Sequence, residues 1–191
     1  MLKKIAEKVT DNKTDVNTLR NFSVLQFFFW STWAIYGGYS VYYLTDIGYS
    51  NMQIGTVMSV RTFMSIIGPP ILGYICDKFK TRKNVFITGM IVLGLIIVPF
   101  PLYNWYLILI MTALIGFIWS PQQSILDSWI LETSPNIAIN YGFMRAWGSI
   151  GYAVFVTIYG LVIENFGWTI HFLNYGIFVL IFLIIVTLIF N

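Results

Sequence analysis

The 191-residue chain contains one cysteine and one histidine, and only 10% of its residues are charged. The single cysteine, Cys76, excludes an intrachain disulfide and reads as an apolar free thiol at a helix end. His171 stands without a second ligand and reads as an interfacial side chain rather than a metal ligand. There is no His-Glu-x-x-His, no cysteine pair, no phosphate-cradling glycine loop and no nucleophile–base pair at a productive spacing. No enzyme, metal or cofactor chemistry is therefore expected. The net charge of +3 is distributed in a way that reports topology and gives no support for nucleic-acid binding.

What the chain has instead is apolar surface: 58% of residues are hydrophobic and 18% aromatic. A water-soluble domain of this length has nowhere to hide so much, so the solvent must be lipid. A membrane span needs about 20 apolar residues. On that scale the chain divides into six spans, at 22–44, 52–75, 85–98, 105–131, 141–163 and 168–190. The expected fold class is an all-α membrane protein of six transmembrane helices. Residues 1–20 are polar, lack a signal-peptide pattern and read as a cytoplasmic tail, leaving 21–191 as the bundle. Nine of the eleven lysines and arginines lie in that tail (Lys3, Lys4, Lys8, Lys13, Arg20) or in the turn Lys78, Lys80, Arg82, Lys83. The connections after the first, third and fifth spans carry none. This positive-inside alternation predicts a cytoplasmic N terminus in a multi-pass cell-membrane protein, and Tyr103, Trp105, Tyr106 and Trp168 fall where an outer aromatic belt belongs.

Ser50 and Gln53 are spaced as a capping box at the start of the second span. Gly68-Pro69-Pro70 and Ser120-Pro121 should kink the second and fourth spans, either to line a substrate path or for packing. On the fifth span Gly142, Ala146, Ser149, Ala153 and Gly160 form a small-residue stripe, which is expected to make a close helix–helix contact.

Charges within spans are costly and tend to face a bundle interior or a water-filled cavity. Only Arg61, Asp127 and Arg145 qualify. Asp127 and Arg145 are equally far along the chain from Asn136, at the tip of the turn joining their helices. Antiparallel helices would place them at one depth, where an ion pair would lower the cost of both. Ser120, Gln123, Ser124 and Asp127 share one face of the fourth span, while Arg145, Ser149 and Tyr152 share one of the fifth. The two stripes together suit a hydroxylated or carboxylated solute, or else the pair simply locks two helices. Arg61 lies about 16 Å along the second span. It has three open readings: a reach to Asp127, an anionic solute, or a partner outside this chain. The aromatic first span (Trp30, Trp33, Tyr36, Tyr39, Tyr42, Tyr43) offers stacking surfaces, although lipid packing is the commoner reason for such residues.

The segment Gly73-x-x-x-Asp77-Lys78-x-Lys80-x-Arg82-Lys83 resembles the signature loop of the major facilitator superfamily, with Lys80 where a second glycine is usual. Tyr141-Gly-Phe-Met-Arg145-Ala-Trp-Gly-Ser149-Ile-Gly-Tyr152 resembles the fifth helix of that superfamily's lactose permease branch, and Ser23-Val-Leu-Gln26-Phe-Phe-Phe-Trp30-Ser-Thr-Trp33 the start of its nucleoside–proton symporters. The resemblance implies one half of a major facilitator fold, its N-terminal six helices, with the C-terminal half absent. It also implies alternating-access transport, by proton symport, of a sugar, nucleoside or aromatic or carboxylic acid. Asp127, Arg145 and Tyr152 would contact solute, with Ser149, Gln123 and Arg61 beside them. Gly73, Asp77, Lys78, Arg82 and Lys83 would form a gating loop that latches onto a second half. A truncated product, gene fragment or split half is expected ahead of a six-span protein acting as a dimer. The rival reading is a non-transporting membrane assembly subunit or an inert fragment.

Overall fold

The computed structural model describes the backbone of residues 2–133 and 135–190, and the side chains of 16–133 and 137–190. Among these residues the chain is helical, with no strand. The elements are α1 (Leu2–Tyr36), α2 (Ser40–Asp46), α3 (Asn51–Phe79), α4 (Arg82–Ile97), a 3-10 turn (Phe100–Leu102), α5 (Trp105–Thr133), α6 (Pro135–Ile139) and α7 (Tyr141–Ile189). Helix α1 runs back through the polar N-terminal segment to Leu2. Among the described residues two helices, Trp105–Thr133 and Tyr141–Ile189, are long and apolar enough to cross a membrane. Helix α4 has 16 residues, fewer than the ~20 of an ordinary span.

Local chemistry sets the boundaries. The Ser50 side chain accepts from the Gln53 amide while Gln53 Oε1 accepts from the Ser50 amide at 3.0 Å, completing the expected capping box of α3. Thr81 caps α4 by accepting from the Asn84 amide at 3.3 Å. Helices α3 and α5 continue through Pro69, Pro70 and Pro121 as single elements. Helix α7 has 49 residues, a length of about 73 Å if straight, more than twice a hydrocarbon core. It breaks at Gly167 (φ 74°, ψ −178°), a backbone conformation that glycine adopts without a Cβ clash. The break falls in the connection expected between Ile163 and Trp168.

The helices pair as α1 on α7 and α3 on α5, with α4 against both α5 and α7. The packing face of α7 differs from the expected one. Gly142, Ala146, Ser149 and Ala153 are exposed, whereas Met144, Gly148, Gly151 and Tyr159 are buried. At Gly151 a Cβ would lie 2.4 Å from the Phe27 carbonyl oxygen, so this glycine lets the α1 and α7 backbones touch. Sequence spacing selects a small-residue face. It does not say which of two such faces meets a neighbour.

His171 is another correction. It is fully buried rather than interfacial, ringed edge-on by Tyr39, Tyr159, Trp168 and Phe172 at 5.3–5.7 Å between centroids. Neighbouring Trp168 donates its Nε1–H to Asp46 Oδ2 at 2.7 Å, tying α7 to the end of α2.

Candidate functional site

Asp127 projects from the last third of α5 and is half-buried. One of its oxygens accepts a hydrogen bond of 3.2 Å from Gln26 Nε2 on α1. Arg145, one turn into α7, lays its guanidinium over the Trp30 ring at 4.0 Å from the centroid, a cation–π contact. The expected Asp127–Arg145 ion pair is therefore not made: among the described residues the ion pairs are Arg82 with Glu132 and Arg82 with Asp77. Each member of the pair is instead taken by α1. Tyr141 hydrogen-bonds Asp127 through its side chain and interacts electrostatically with Arg145, so the two charges share one neighbourhood.

Arg61 reaches the same wall from α3. Its Nη1 donates to Ser40 Oγ at 3.3 Å, and its guanidinium lies 5.5 Å from the Trp33 centroid. Trp33 in turn stacks on Trp119 of α5 (4.5 Å, 17°), whose ring also stacks on Phe29 (4.7 Å, 0°). The approach of α3 to α5 depends on Gly116, where a Cβ would meet the Arg61 carbonyl at 2.3 Å. Tyr152 reaches the α1–α2 junction, where a Cβ placed on Gly38 would lie 3.5 Å from its hydroxyl.

The remaining predicted residues divide. Gln123 and Ser120 are half-buried, Ser124 and Ser149 exposed. The buried amide on α5 is Gln122, packed on Gly89 of α4 with neither polar atom bonded. Sequence reading offered Trp30 and Trp33 as stacking surfaces but missed Gln26 and which charges α1 meets. Gln26, Trp30 and Trp33 recur at i, i+4 and i+7, a signal that was visible, but aromatic residues at that period serve lipid packing equally well.

The loop residues form a second, separate cluster. Arg82 makes two parallel hydrogen bonds to Glu132 at the end of α5, and Lys83 Nζ donates to the Phe190 carbonyl at 2.7 Å. Asp77 is exposed, 4.0 Å from Arg82, and Lys78 lies over the Phe79 ring. Gly73 has open space around it. Lys80 adopts the left-handed conformation (φ 50°, ψ 37°). Arg82, Glu132, Cys76 and Trp129 line a cavity of about 650 Å³ beside this loop.

The described residues form a helical bundle with charged residues turned toward one aromatic helix face and a basic turn between two helices. The MFS_1 like family matches residues 19–191, and the chain belongs to this family of the major facilitator superfamily. It is 31% identical over 143 residues to the sucrose permease of Escherichia coli, covering 70% of this chain and 34% of that protein. It is 24% identical over 150 residues to the maltose permease of Geobacillus stearothermophilus (78% and 38%). With the raffinose permease of Escherichia coli it shares 28% over 130 residues (63% and 30%). The chain spans about a third of the length of these relatives.

Proposed function

We propose that the chain forms one half of a sugar carrier working by alternating access, with proton symport as the driving reaction. In this reading six segments cross the membrane, the two halves of α7 on either side of Gly167 counting separately, and the N terminus is cytoplasmic because the cations cluster at one end. A second six-helix unit, or a second copy, completes the carrier, since alternating access operates between two repeats around a midplane site. The exposed stripe Gly142, Ala146, Ser149, Ala153 supports such a neighbour, as does the open space at Gly142.

The observation that carries the reading is that Asp127 and Arg145 are near each other but unpaired. A carboxylate offers roughly four acceptor sites and a guanidinium five donors. Among the described residues Gln26 and the Tyr141 hydroxyl take two of the former and nothing takes the latter by hydrogen bond. The spare capacity matches the adjacent hydroxyls of a sugar, with the Tyr152 ring two turns further along α7, its hydroxyl near Gly38. Gln123, Ser149 and Arg61 flank this site. Gly73, Asp77, Lys78, Arg82 and Lys83 form the gating latch.

Proteoliposomes holding this chain, alone and with a candidate second half, test the reading. Labelled sucrose, maltose, raffinose, melibiose and lactose are offered under an inward proton gradient. Saturable uptake of at least one, reduced by a protonophore, is expected. Failure of every assembly with every sugar, while the protein is inserted and folded, refutes sugar transport. Uptake indifferent to the gradient refutes proton coupling alone.

A further inference from the structure

The three charges inside the bundle come from three different helices, yet one face of α1 meets them all. Gln26 holds Asp127, the Trp30 ring carries Arg145 and the Trp33 ring lies beneath Arg61. By helix rise these contacts span about 10 Å. Gln26 is fully buried, its Oε1 has no hydrogen-bond partner, and the buried Nε1–H of Trp30 has none either. Orphaned polar atoms of this kind are costly and call for an explanation.

Opposite charges that share a low-dielectric site attract strongly, and a carboxylate and a guanidinium free to move would close into a two-pronged pair. Such a pair would use up the groups that a solute needs. We propose that Gln26 and Trp30 are positioning residues that hold Asp127 and Arg145 apart in the solute-free bundle, and that solute hydroxyls enter the gap and satisfy Gln26 Oε1 and Trp30 Nε1. This rests on reading Asp127 and Arg145 as the solute site. Gln26 and Trp30 act through those two residues: one steers the carboxylate by a hydrogen bond, the other parks the guanidinium on a ring that costs it no donor.

Two measurements on the full chain in detergent test the proposal, one of them without any sugar. In the otherwise unaltered protein, the melting shifts of Asp127→Asn and Arg145→Gln should couple only weakly, because the two side chains share Tyr141 as a neighbour but are not paired. In a Gln26→Leu/Trp30→Leu background the coupling should become large, as the pair closes. Sucrose binding should weaken about tenfold in Gln26→Leu, the scale of one hydrogen bond to a charged group, and in Trp30→Leu. Trp30→Phe, which keeps a ring under the guanidinium, should recover most of it. Strongly non-additive shifts in the unaltered background overturn the proposal, and need no variant of α1 to be stable. So does undiminished sucrose affinity in a cooperatively melting Gln26→Leu/Trp30→Leu protein. If the chain binds no sugar, the sugar reading falls while the melting cycle still decides whether α1 holds the charges apart.

Discussion

Glu132, near the end of α5, grips Arg82, the first residue of α4, through two parallel hydrogen bonds of 2.7 and 2.5 Å. The contact joins elements 50 residues apart and fixes one side of the basic turn, while Asp77 on the other side stays 76% exposed. The turn is thus anchored from within the chain by a residue outside its signature, and its acidic member is left available.

That asymmetry predicts different responses to removing each acid. Glu132 is 60% exposed, so its pair is screened by solvent, and Glu132→Ala should cost only about 1 kcal/mol at low ionic strength. The loss should shrink in high salt, where the Debye length falls to about 3 Å at 1 M. Asp77→Ala should leave melting unchanged and, if the latch reading holds, lower uptake in a complete carrier. Melting curves at two ionic strengths, paired with uptake, separate the two roles. A melting loss in Asp77→Ala equal to that in Glu132→Ala would remove the distinction.

For the proposed solute site, Asp127→Ala or Arg145→Ala should abolish uptake by a complete carrier while membrane expression stays close to normal. Asp127→Glu keeps the charge but adds a methylene, and should retain part of the activity. Ser149→Ala should lower uptake less than either, because Ser149 flanks the site without a charge and is exposed. Uptake and surface expression are measured together. Normal uptake in both alanine variants would end the assignment.

Much of this arrangement is legible in the chain alone, for reasons that differ by residue. Ser50 and Gln53 act within one turn, so spacing suffices to name their capping box. The break in α7 shows because Gly167 ends an apolar run too long for one span. Asp127 and Arg145 stand out because lipid tolerates few charges. Their relationship did not emerge, because it depends on Gln26 and Trp30 about 100 or more residues away, and periodicity carries no information about which helix is the neighbour. His171 illustrates the same limit: its position near a helix start suggests the interface, whereas three aromatic rings of α7 and Tyr39 of the α1–α2 connection bury it.

The two small-residue faces of α7 give a sharper test of packing. Gly151→Ala places a methyl against the backbone of α1, which has no side chain to swing away, so a loss of about 1–3 kcal/mol is expected. Gly142→Ala has nothing within 4 Å and replaces a poor helix former with the best one. It should be neutral or gain up to about 1 kcal/mol in the isolated chain. Thermal unfolding in detergent compares them directly. Equal losses at both positions would mean that the α1–α7 contact is drawn on the wrong face.

Lys80 occupies a position where a glycine is usual in the superfamily, and the backbone there keeps a glycine-like shape. Its amide donates to the Asp77 carbonyl at 3.4 Å and the Thr81 amide to the Cys76 carbonyl at 3.3 Å, closing α3 with a left-handed residue at its end. A side chain in that conformation costs about 1–2 kcal/mol. Glycine would relieve this but lose more freedom on folding, about 0.5–1 kcal/mol. Lys80→Gly should therefore raise stability by about 0.5–1 kcal/mol. Lys80→Ala provides the control, since it removes the same exposed charge and keeps the strained Cβ. Melting of the glycine variant above the alanine variant assigns the gain to the backbone. Equal melting points would show that the lysine turn is unstrained and that any change came from the lost charge.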